Sequence, residues 1–232
     1  MVKPLAHGER GGAVFGGIMI NLGNILIIGD SYSAATGTVP AGYGIWYEER
    51  NFEKTDVRRA DEAWWRVLLS SGEASGEVVR NESWSGTTVS TTERPTLVGT
   101  SFVKRLDDLI EAGFFAENRI DSVFILGGTN DSWIDSPVGE VRLGGVSREE
   151  CASVLPAFSY LLSRLVKAAP EAKIITVVNC DIKDEIRLGM EAIAVHYGAA
   201  AVMLDGVDKM NGHPSVKGMR EIAEQVINAL GK

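Results

Sequence analysis

The sequence is poor in the residues on which metal centres and disulfide scaffolds depend. It has two cysteines and three histidines in 232 residues. Cys151 and Cys180 lie in no C-x-x-C spacing, which excludes zinc ribbons and thioredoxin-type redox centres. We expect both to be free thiols, with a disulfide between them as the alternative. Three histidines also argue against a metallophosphoesterase, whose ligands include several histidines and carboxylates, so no cofactor is expected.

Long apolar runs and nucleotide-binding motifs are absent as well. No run approaches the ~20 apolar residues that span a bilayer, so no membrane span is expected. There is no P-loop, no G-x-G-x-x-G fingerprint and no G-x-S-x-G elbow, which removes common nucleotide-binding motifs and the usual α/β-hydrolase variant. A formal net charge of −8 and a pI near 5.0 disfavour nucleic acid and anionic membranes as partners.

The N-terminal segment differs in pattern from the rest of the chain. It has a lysine near its start and an apolar tail, but Glu9, Arg10 and several glycines interrupt any signal-like core. We therefore predict a disordered extension over residues 1–20 and a cytoplasmic protein, with Met19 as a possible start. Residues 21–232 are predicted to form a single domain, with loop insertions near 32–59 and 132–146.

Short apolar segments alternate with amphipathic ones along that domain. Five segments are short and apolar, as buried parallel strands are; they lie near residues 25–28, 76–80, 121–126, 173–178 and 199–204. Segments with apolar residues at helical spacing separate and follow them. This alternation predicts an α/β fold, a three-layer α/β/α sandwich with about five parallel strands and helices on both faces.

Polar residues with catalytic potential follow four of these strands. Ser31 comes after the first strand, Gly86 after the second, Asn130 after the third and His213 after the fifth. Because parallel strands point the same way, their carboxyl ends share one edge of the sheet, where open α/β folds bind ligands. We therefore expect the four residues to meet there, although an isolated serine after a strand is more often a helix cap.

Together, the four residue types suit acyl transfer. Ser31 can attack a carbonyl carbon, and His213 can take its proton and return it to the leaving group. Gly86 can offer a backbone N–H, and Asn130 a side-chain N–H, to the oxyanion that develops. The other two histidines lie in the extension and near a helix end, so His213 is the candidate base.

These residues stand in four sequence blocks that resemble those of the SGNH (GDSL-type) hydrolase family. The blocks are Gly29-Asp30-Ser31, Asn81-Glu-Ser-Trp-Ser-Gly86, Gly128-Thr129-Asn130-Asp131 and His213-Pro214. The resemblance extends from about residue 24 to the C-terminus, in both block order and spacing. It implies a flavodoxin-like fold and a serine esterase. In that esterase Ser31 is the nucleophile, His213 is the base, and Ser31 N–H, Gly86 N–H and Asn130 form the oxyanion hole.

The chain departs from the family at the third member of the catalytic triad. The family usually carries an Asp three residues before the His, where this chain has Met210. A carboxylate would still help, because His213 begins a helix whose dipole disfavours an imidazolium. We expect Asp208 to reach His213 through a longer loop. The alternatives are Asp205, or a Ser–His dyad in which a backbone carbonyl orients the imidazole.

Two tryptophans flank the predicted oxyanion residues. Trp84 and Trp133 are candidates for substrate contacts in an acyl or sugar pocket, and packing of the rim is the alternative. The resemblance implies a small-molecule acyl ester as substrate, and acetyl esters of carbohydrates are one such class. The predicted function is a serine ester hydrolase that works through an acyl-enzyme on Ser31. A weak or inactive binding domain on the same scaffold is the alternative.

Overall fold

The computed structural model describes residues 19–231, and a parallel sheet lies at its centre. The sheet has five strands in the order β2-β1-β3-β4-β5, all parallel to one another. The strands are β1 (Ile20–Gly29), β2 (Ala74–Ser83), β3 (Ser122–Gly127), β4 (Lys173–Val178) and β5 (Ala200–Met203). A separate antiparallel pair follows, β6 (Lys209–Met210) and β7 (His213–Pro214).

Helices cover both faces of the sheet. They are α1 (Trp64–Ser70), α2 (Phe102–Glu111), α3 (Phe114–Glu117), α4 (Thr129–Trp133), α5 (Val154–Ala168), α6 (Asp184–His196) and α7 (Val216–Leu230). Helices α1 and α7 pack together on one face, and α2, α5 and α6 pack on the other. The predicted three-layer α/β/α sandwich is confirmed, and its strand order is the flavodoxin-like one.

The apolar run in β1 illustrates why the sheet is buried on both sides. Successive side chains of a strand point to opposite faces. Leu26 and Ile28 belong to the core beneath α2, α5 and α6, whereas Ile25 and Ile27 belong to the core beneath α1 and α7. All four are at most 1% exposed, and burying each such side chain contributes about 1.5–3 kcal/mol. A strand therefore lets four consecutive apolar residues serve two cores.

The N-terminal boundary of the fold differs slightly from the predicted one. Ile20 was predicted to belong to the disordered extension but is the first residue of β1, and residues 1–18 of that extension lie outside the described residues. Cys151 and Cys180 are free, as predicted. Across the part of the chain that the structure describes, no helix has both the length and the apolar character needed to cross a membrane.

The first predicted loop insertion is attached to the site, and the second begins inside a helix. Residues 32–59 contain an isolated bridge between Ala35 and Tyr47, and the Tyr47 hydroxyl donates to the Pro214 carbonyl at 3.0 Å. This loop is thereby attached to β7, next to His213. The second insertion, predicted to begin at residue 132, starts inside helix α4, whose last residue is Trp133.

A buried arginine joins the carboxyl ends of β1 and β2. Arg105, on α2, is 3% exposed and donates to the Gly29 carbonyl at 3.1 Å and the Thr100 carbonyl at 2.8 Å. It also donates to the Glu82 carbonyl and to Thr87 Oγ1 at 3.1 Å. These carbonyls lie at strand ends and in loops, and the Gly29 carbonyl also accepts from the Trp84 N–H at 3.1 Å. Arg105 therefore fixes the edge of the sheet on which Ser31 and Gly86 depend.

Replacing Arg105 by methionine should destabilise the fold by about 3 kcal/mol or more, because each buried carbonyl left without a donor costs about 1–3 kcal/mol. The matched control is Arg119→Met, since Arg119 is 84% exposed and pairs with Asp121 at the opposite edge of the sheet. Urea unfolding measures both free energies. Equal and small losses for the two variants would contradict the role given to Arg105.

Candidate active site

The carboxyl ends of three neighbouring strands place three of the predicted residues at one edge of the sheet. Ser31 lies two residues beyond β1, Gly86 three beyond β2 and Asn130 three beyond β3. His213 reaches the same edge from the β6–β7 hairpin rather than directly from β5. Residues far apart in sequence are thus brought into one site by strand direction.

Ser31 and His213 form a hydrogen-bonded pair. Ser31 Oγ lies 3.0 Å from His213 Nε2, and the two residues are 2% and 6% exposed. On the other side of the ring, His213 Nδ1 lies 3.1 Å from the carbonyl oxygen of Asn211. A carbonyl oxygen can only accept, so this contact favours the tautomer with its proton on Nδ1. Nε2 is then free to accept the Ser31 hydroxyl proton.

The turn between β6 and β7 brings the Asn211 carbonyl to His213 Nδ1. Met210 pairs with His213 across the hairpin. Asn211 and Gly212 form its two-residue loop, with φ angles of 49° and 77°. Two consecutive positive φ angles are typical of a type I′ turn, which Asn-Gly sequences favour. The backbone of the turn therefore supplies the partner of the imidazole.

Asp208, the predicted third member of the triad, does not contact His213. Its carboxylate accepts a hydrogen bond from the hydroxyl of Ser215, the N-cap of α7. The hairpin places Asp208 there because Ser215 N–H also donates to the Asp208 carbonyl, at 3.1 Å. Asp205 pairs instead with the Gln225 side chain, through its backbone N–H and C=O. The predicted contact between Asp208 and His213 is therefore absent, and the partner of His213 Nδ1 is a backbone carbonyl, as in the second of the two alternatives.

Aromatic rings surround the imidazole of His213. Trp46 stacks on it, with ring centroids 3.8 Å apart and planes inclined by 7°. Three further rings approach at centroid distances of 5.6–6.3 Å, those of Tyr32, Tyr47 and Trp133. Most of these rings come from the loop at residues 32–59. That loop therefore covers the histidine.

This enclosure sets the protonation state of the base. Burial lowers the pKa of His213 from 6.5 to about 4, although the hydrogen bond to the Asn211 carbonyl raises it and the nearby Lys209 charge lowers it further. Lys209 Nζ is itself held by Asn179 Oδ1 at 3.0 Å and by Asp181 at 2.6 Å. The imidazole is consequently neutral at pH 7, as a general base must be.

Two backbone N–H groups beside Ser31 are free to bind a ligand. Gly86 has a φ of 84°, a left-handed conformation that favours glycine. A Cβ at this position would lie 2.9 Å from Leu97 Cδ1. Within residues 19–231, neither the Ser31 N–H nor the Gly86 N–H donates to another protein group. Both predicted backbone donors are therefore available.

The side-chain amide of Asn130 is buried between several partners. Its Nδ2 lies 3.0 Å from the Thr87 carbonyl and 3.5 Å from Asp30 Oδ2. Its Oδ1 accepts from Arg94 Nη2 at 3.3 Å. One amide hydrogen is thus engaged by Thr87, and the second has only the long contact to Asp30. That second hydrogen is the one available to an oxyanion.

Buried carboxylates fix the loops on both sides of Asn130. Asp30 Oδ1 accepts from the Tyr32 N–H at 3.0 Å. Asp131 accepts from the N–H groups of Val89 and Ser90 at 2.8 and 3.0 Å. Burial raises the pKa of both carboxyls, that of Asp30 to about 7. Both aspartates hold backbone N–H groups in place, as their positions in turn sequences suggest.

The two predicted substrate-contact tryptophans lie in different environments. Trp133 is 46% exposed and presents its ring edge-on to His213. Trp84 stacks on Tyr43, with ring centroids 4.1 Å apart, and is half-buried at the rim. Trp133 therefore borders the Ser31–His213 pair directly, whereas Trp84 packs against the rim.

Comparison with known proteins decides the family. A family model described as GDSL-like Lipase/Acylhydrolase matches residues 23–230. The chain belongs to the GDSL-like lipase/acylhydrolase family. A crystal structure described as a GDSL-like lipase from Bacteroides uniformis is 35% identical, with a TM-score of 0.78, and the match covers 88% of this chain and 93% of that one. Another from Bacteroides ovatus is 33% identical, with a TM-score of 0.77 and coverage of 88% and 96%.

A more distant structure shares the GDSL-like fold. Est24, a carbohydrate acetylesterase from Sinorhizobium meliloti, is 14% identical, with a TM-score of 0.58 and coverage of 89% of this chain and 97% of Est24. At this identity the likeness shows the fold alone. No curated protein matches the sequence. Membership in the GDSL-like family confirms the predicted enzyme class, a carboxylic ester hydrolase.

The sequence prediction did not identify two residues of this GDSL-like site. The Asn211 carbonyl was foreseen only as an unnamed backbone group, although an Asn-Gly dipeptide is a strong local signal for a tight hairpin. Trp46 lies in the loop insertion predicted near 32–59 and was not among the predicted site residues. Nothing near it in sequence indicates which ring stacks on His213, since the two residues meet only in the folded chain.

Replacing Trp46 by alanine should raise the pKa of His213. The change admits water to the imidazole and so reduces its burial, which is the main cause of the low pKa. The lost cation–π attraction acts in the opposite direction but contributes only about 1 kcal/mol, against about 3 kcal/mol for a pKa depression of this size. A pH titration of histidine ring-proton NMR shifts measures the pKa, with His213→Asn identifying the resonance.

The matched control is Trp84→Ala, because Trp84 stacks on Tyr43 and not on the imidazole. That variant should leave the pKa of His213 near its value of about 4. A pKa close to 6.5 in the unmodified protein, or one that Trp46→Ala leaves unchanged, would contradict this account of the site.

Proposed function

We propose that this protein hydrolyses small acyl esters by nucleophilic catalysis, with Ser31 as the nucleophile and His213 as the general base. The observation that carries the proposal is the 3.0 Å contact between Ser31 Oγ and His213 Nε2, on a ring whose Nδ1 faces a carbonyl. A neutral imidazole in this tautomer can accept the serine proton directly.

The reaction proceeds in two halves. Ser31 Oγ attacks the ester carbonyl carbon while His213 Nε2 takes the hydroxyl proton. The tetrahedral oxyanion is bound by Ser31 N–H, Gly86 N–H and the free Asn130 Nδ2 hydrogen, and one such donor typically contributes about 3–4 kcal/mol. The intermediate then expels the alcohol, which receives the proton from His213, and an acyl-enzyme remains. Water repeats the sequence and releases the acid.

The proposed catalytic unit is a dyad supported by a carbonyl dipole. A carboxylate partner would stabilise the imidazolium by a full charge, and disabling it in a triad costs about 10⁴-fold in turnover. Here the Asn211 carbonyl holds the tautomer, and the face of Trp46, 3.8 Å from the ring, attracts the positive charge when it forms. The dipole of the Asn211 carbonyl and the quadrupole of the Trp46 ring thus stabilise the imidazolium.

The substrate class proposed is a short acyl ester, with acetylated carbohydrates as the favoured group. Trp133 is half exposed beside His213, and an open aromatic ring is a surface on which a sugar can stack. Est24, which shares the fold, is described as a carbohydrate acetylesterase. Four aromatic rings surround His213, and in the proposed reaction this crowding beside Ser31 favours acetyl over long acyl chains.

A series of p-nitrophenyl esters tests the assignment of the dyad. Ser31→Ala and His213→Asn should each lower kcat by about 10³-fold or more, as removal of a catalytic nucleophile or base does. Asp208→Asn should stay within about threefold of the unmodified protein, because Asp208 binds Ser215 and not His213. Acetyl should be turned over faster than octanoyl.

The matched control is Asp56→Asn, since Asp56 also binds the start of α7, by accepting from the Val216 N–H at 2.8 Å. A loss of about 10³-fold or more in Asp208→Asn alone would restore Asp208 as the catalytic acid. Absence of any turnover by the unmodified protein would favour the alternative, a binding domain on the same scaffold, which the Met210 substitution makes the main competitor.

A further inference from the structure

We propose that Arg94 is a positioning residue of the oxyanion hole, an inference that rests on the proposed function. Arg94 contacts two of the three residues assigned to that hole. Its Nη2 donates to Asn130 Oδ1 at 3.3 Å, and its Nε donates to the Gly86 carbonyl at 3.3 Å. One planar guanidinium thus joins the Asn130 side chain to the Gly86 backbone, two parts of the site that are distant in sequence.

The contact to Asn130 decides which end of the amide faces a substrate. Arg94 can only donate, so it selects Oδ1, and the Thr87 carbonyl can only accept, so it selects Nδ2. A flipped amide would place its oxygen against the Thr87 carbonyl and its NH₂ group against the guanidinium. With both partners present, the second Nδ2 hydrogen is held available for the oxyanion. Without Arg94, one of the two restraints is lost.

The loop that carries Arg94 is fixed by the side chains of the two residues that precede it. Thr92 Oγ1 donates to the Ala152 carbonyl at 2.7 Å. The Glu93 carboxylate accepts from the N–H groups of Gly99, Thr100 and Ser101, which follow Arg94, at 2.5–2.8 Å. The guanidinium is therefore presented by an ordered loop, which is what a positioning role requires.

The charge of Arg94 is not neutralised by an ion pair. Within residues 19–231, no carboxylate oxygen lies within 4.0 Å of its guanidinium, whereas seven other arginines of that range have such a partner. The positive charge lies against two residues that, in the proposed reaction, bind the negative charge developing on the ester oxygen. Such a charge stabilises the transition state more than the neutral ester, so its effect belongs to kcat and not to KM.

Steady-state kinetics of Arg94→Ala with p-nitrophenyl acetate test the proposal. We expect kcat to fall by about 10- to 100-fold, less than for direct removal of a donor, which costs about 10²–10³-fold. KM should stay within about threefold. Arg94→Lys should recover part of the loss because it restores the charge without the two-point geometry, and guanidinium ion at millimolar concentration should partly rescue Arg94→Ala.

A transition-state analogue gives an independent readout. A boronic acid that forms a tetrahedral adduct with Ser31 should bind Arg94→Ala more weakly by the same factor by which kcat/KM falls. Arg119→Ala is the matched control, because Arg119 is exposed and lies at the opposite edge of the sheet. An unchanged kcat in Arg94→Ala, or a loss confined to KM, would overturn the proposal, the latter assigning Arg94 to substrate binding.

A measurement without turnover separates this inference from the proposed function. Hydrogen exchange of the Asn130 side-chain amide, followed by ¹⁵N NMR, should be at least severalfold faster in Arg94→Ala than in the unmodified protein and in Arg119→Ala. If the unmodified protein turned over no ester while the exchange still depended on Arg94, the proposed function would fail and the positioning role would stand. Exchange that is independent of Arg94 would overturn the positioning role, even with turnover intact.

Discussion

The common direction of the five strands is the constraint on which this site depends. Each strand of a parallel sheet ends on the same side, so whatever follows β1, β2 and β3 is brought to a single edge. Ser31, Gly86 and Asn130 need no long excursions to meet there. The edge is then made rigid by Arg105, whose buried guanidinium satisfies carbonyls at the ends of two neighbouring strands. Burying a charge for this purpose is costly, and several hydrogen bonds offset that cost.

His213 reaches the site from a different structural element. His213 is carried by a two-residue hairpin, and the turn of that hairpin points its own carbonyl at the imidazole. The imidazole is thus oriented by a neutral dipole in an aromatic enclosure and not by a carboxylate. This arrangement favours the neutral imidazole in the resting enzyme and leaves a smaller electrostatic gain when the imidazolium forms. The Asp208 carboxylate serves the helix cap at Ser215 instead.

Much of the fold was predictable from sequence because its signals are local. Four consecutive apolar residues at Ile25–Ile28 are too short a run for a helix and rich in β-branching, which indicates a strand buried on two faces, and alternation with amphipathic segments then implies a parallel sheet. The meeting of Ser31, Gly86 and Asn130 follows from strand direction alone, whereas His213 reaches the same edge from the β6–β7 hairpin. Asp208 was assigned wrongly as a contact of His213, because counting residues back from the histidine ignores the reversal that Asn211 and Gly212 impose.

Other contacts had no local signal at all. Arg105 reaches the Gly29 carbonyl across 76 positions of sequence, and Trp46 reaches His213 from a loop with several aromatics. Such pairings depend on the tertiary path of the chain, which periodicity does not encode. Residues that support a site from a distance are therefore the ones that sequence patterns miss, whereas residues at strand ends are the ones they find.

Labelling with a fluorophosphonate tests the central claim most directly, because the reagent reacts only with a serine that a nearby base has activated. Intact mass and peptide mapping should find one adduct per chain, on Ser31, formed at a rate that falls by orders of magnitude in His213→Asn. Labelling at a different residue, or at the same rate in both proteins, would contradict the claim that the 3.0 Å Ser31–His213 pair is the catalytic centre.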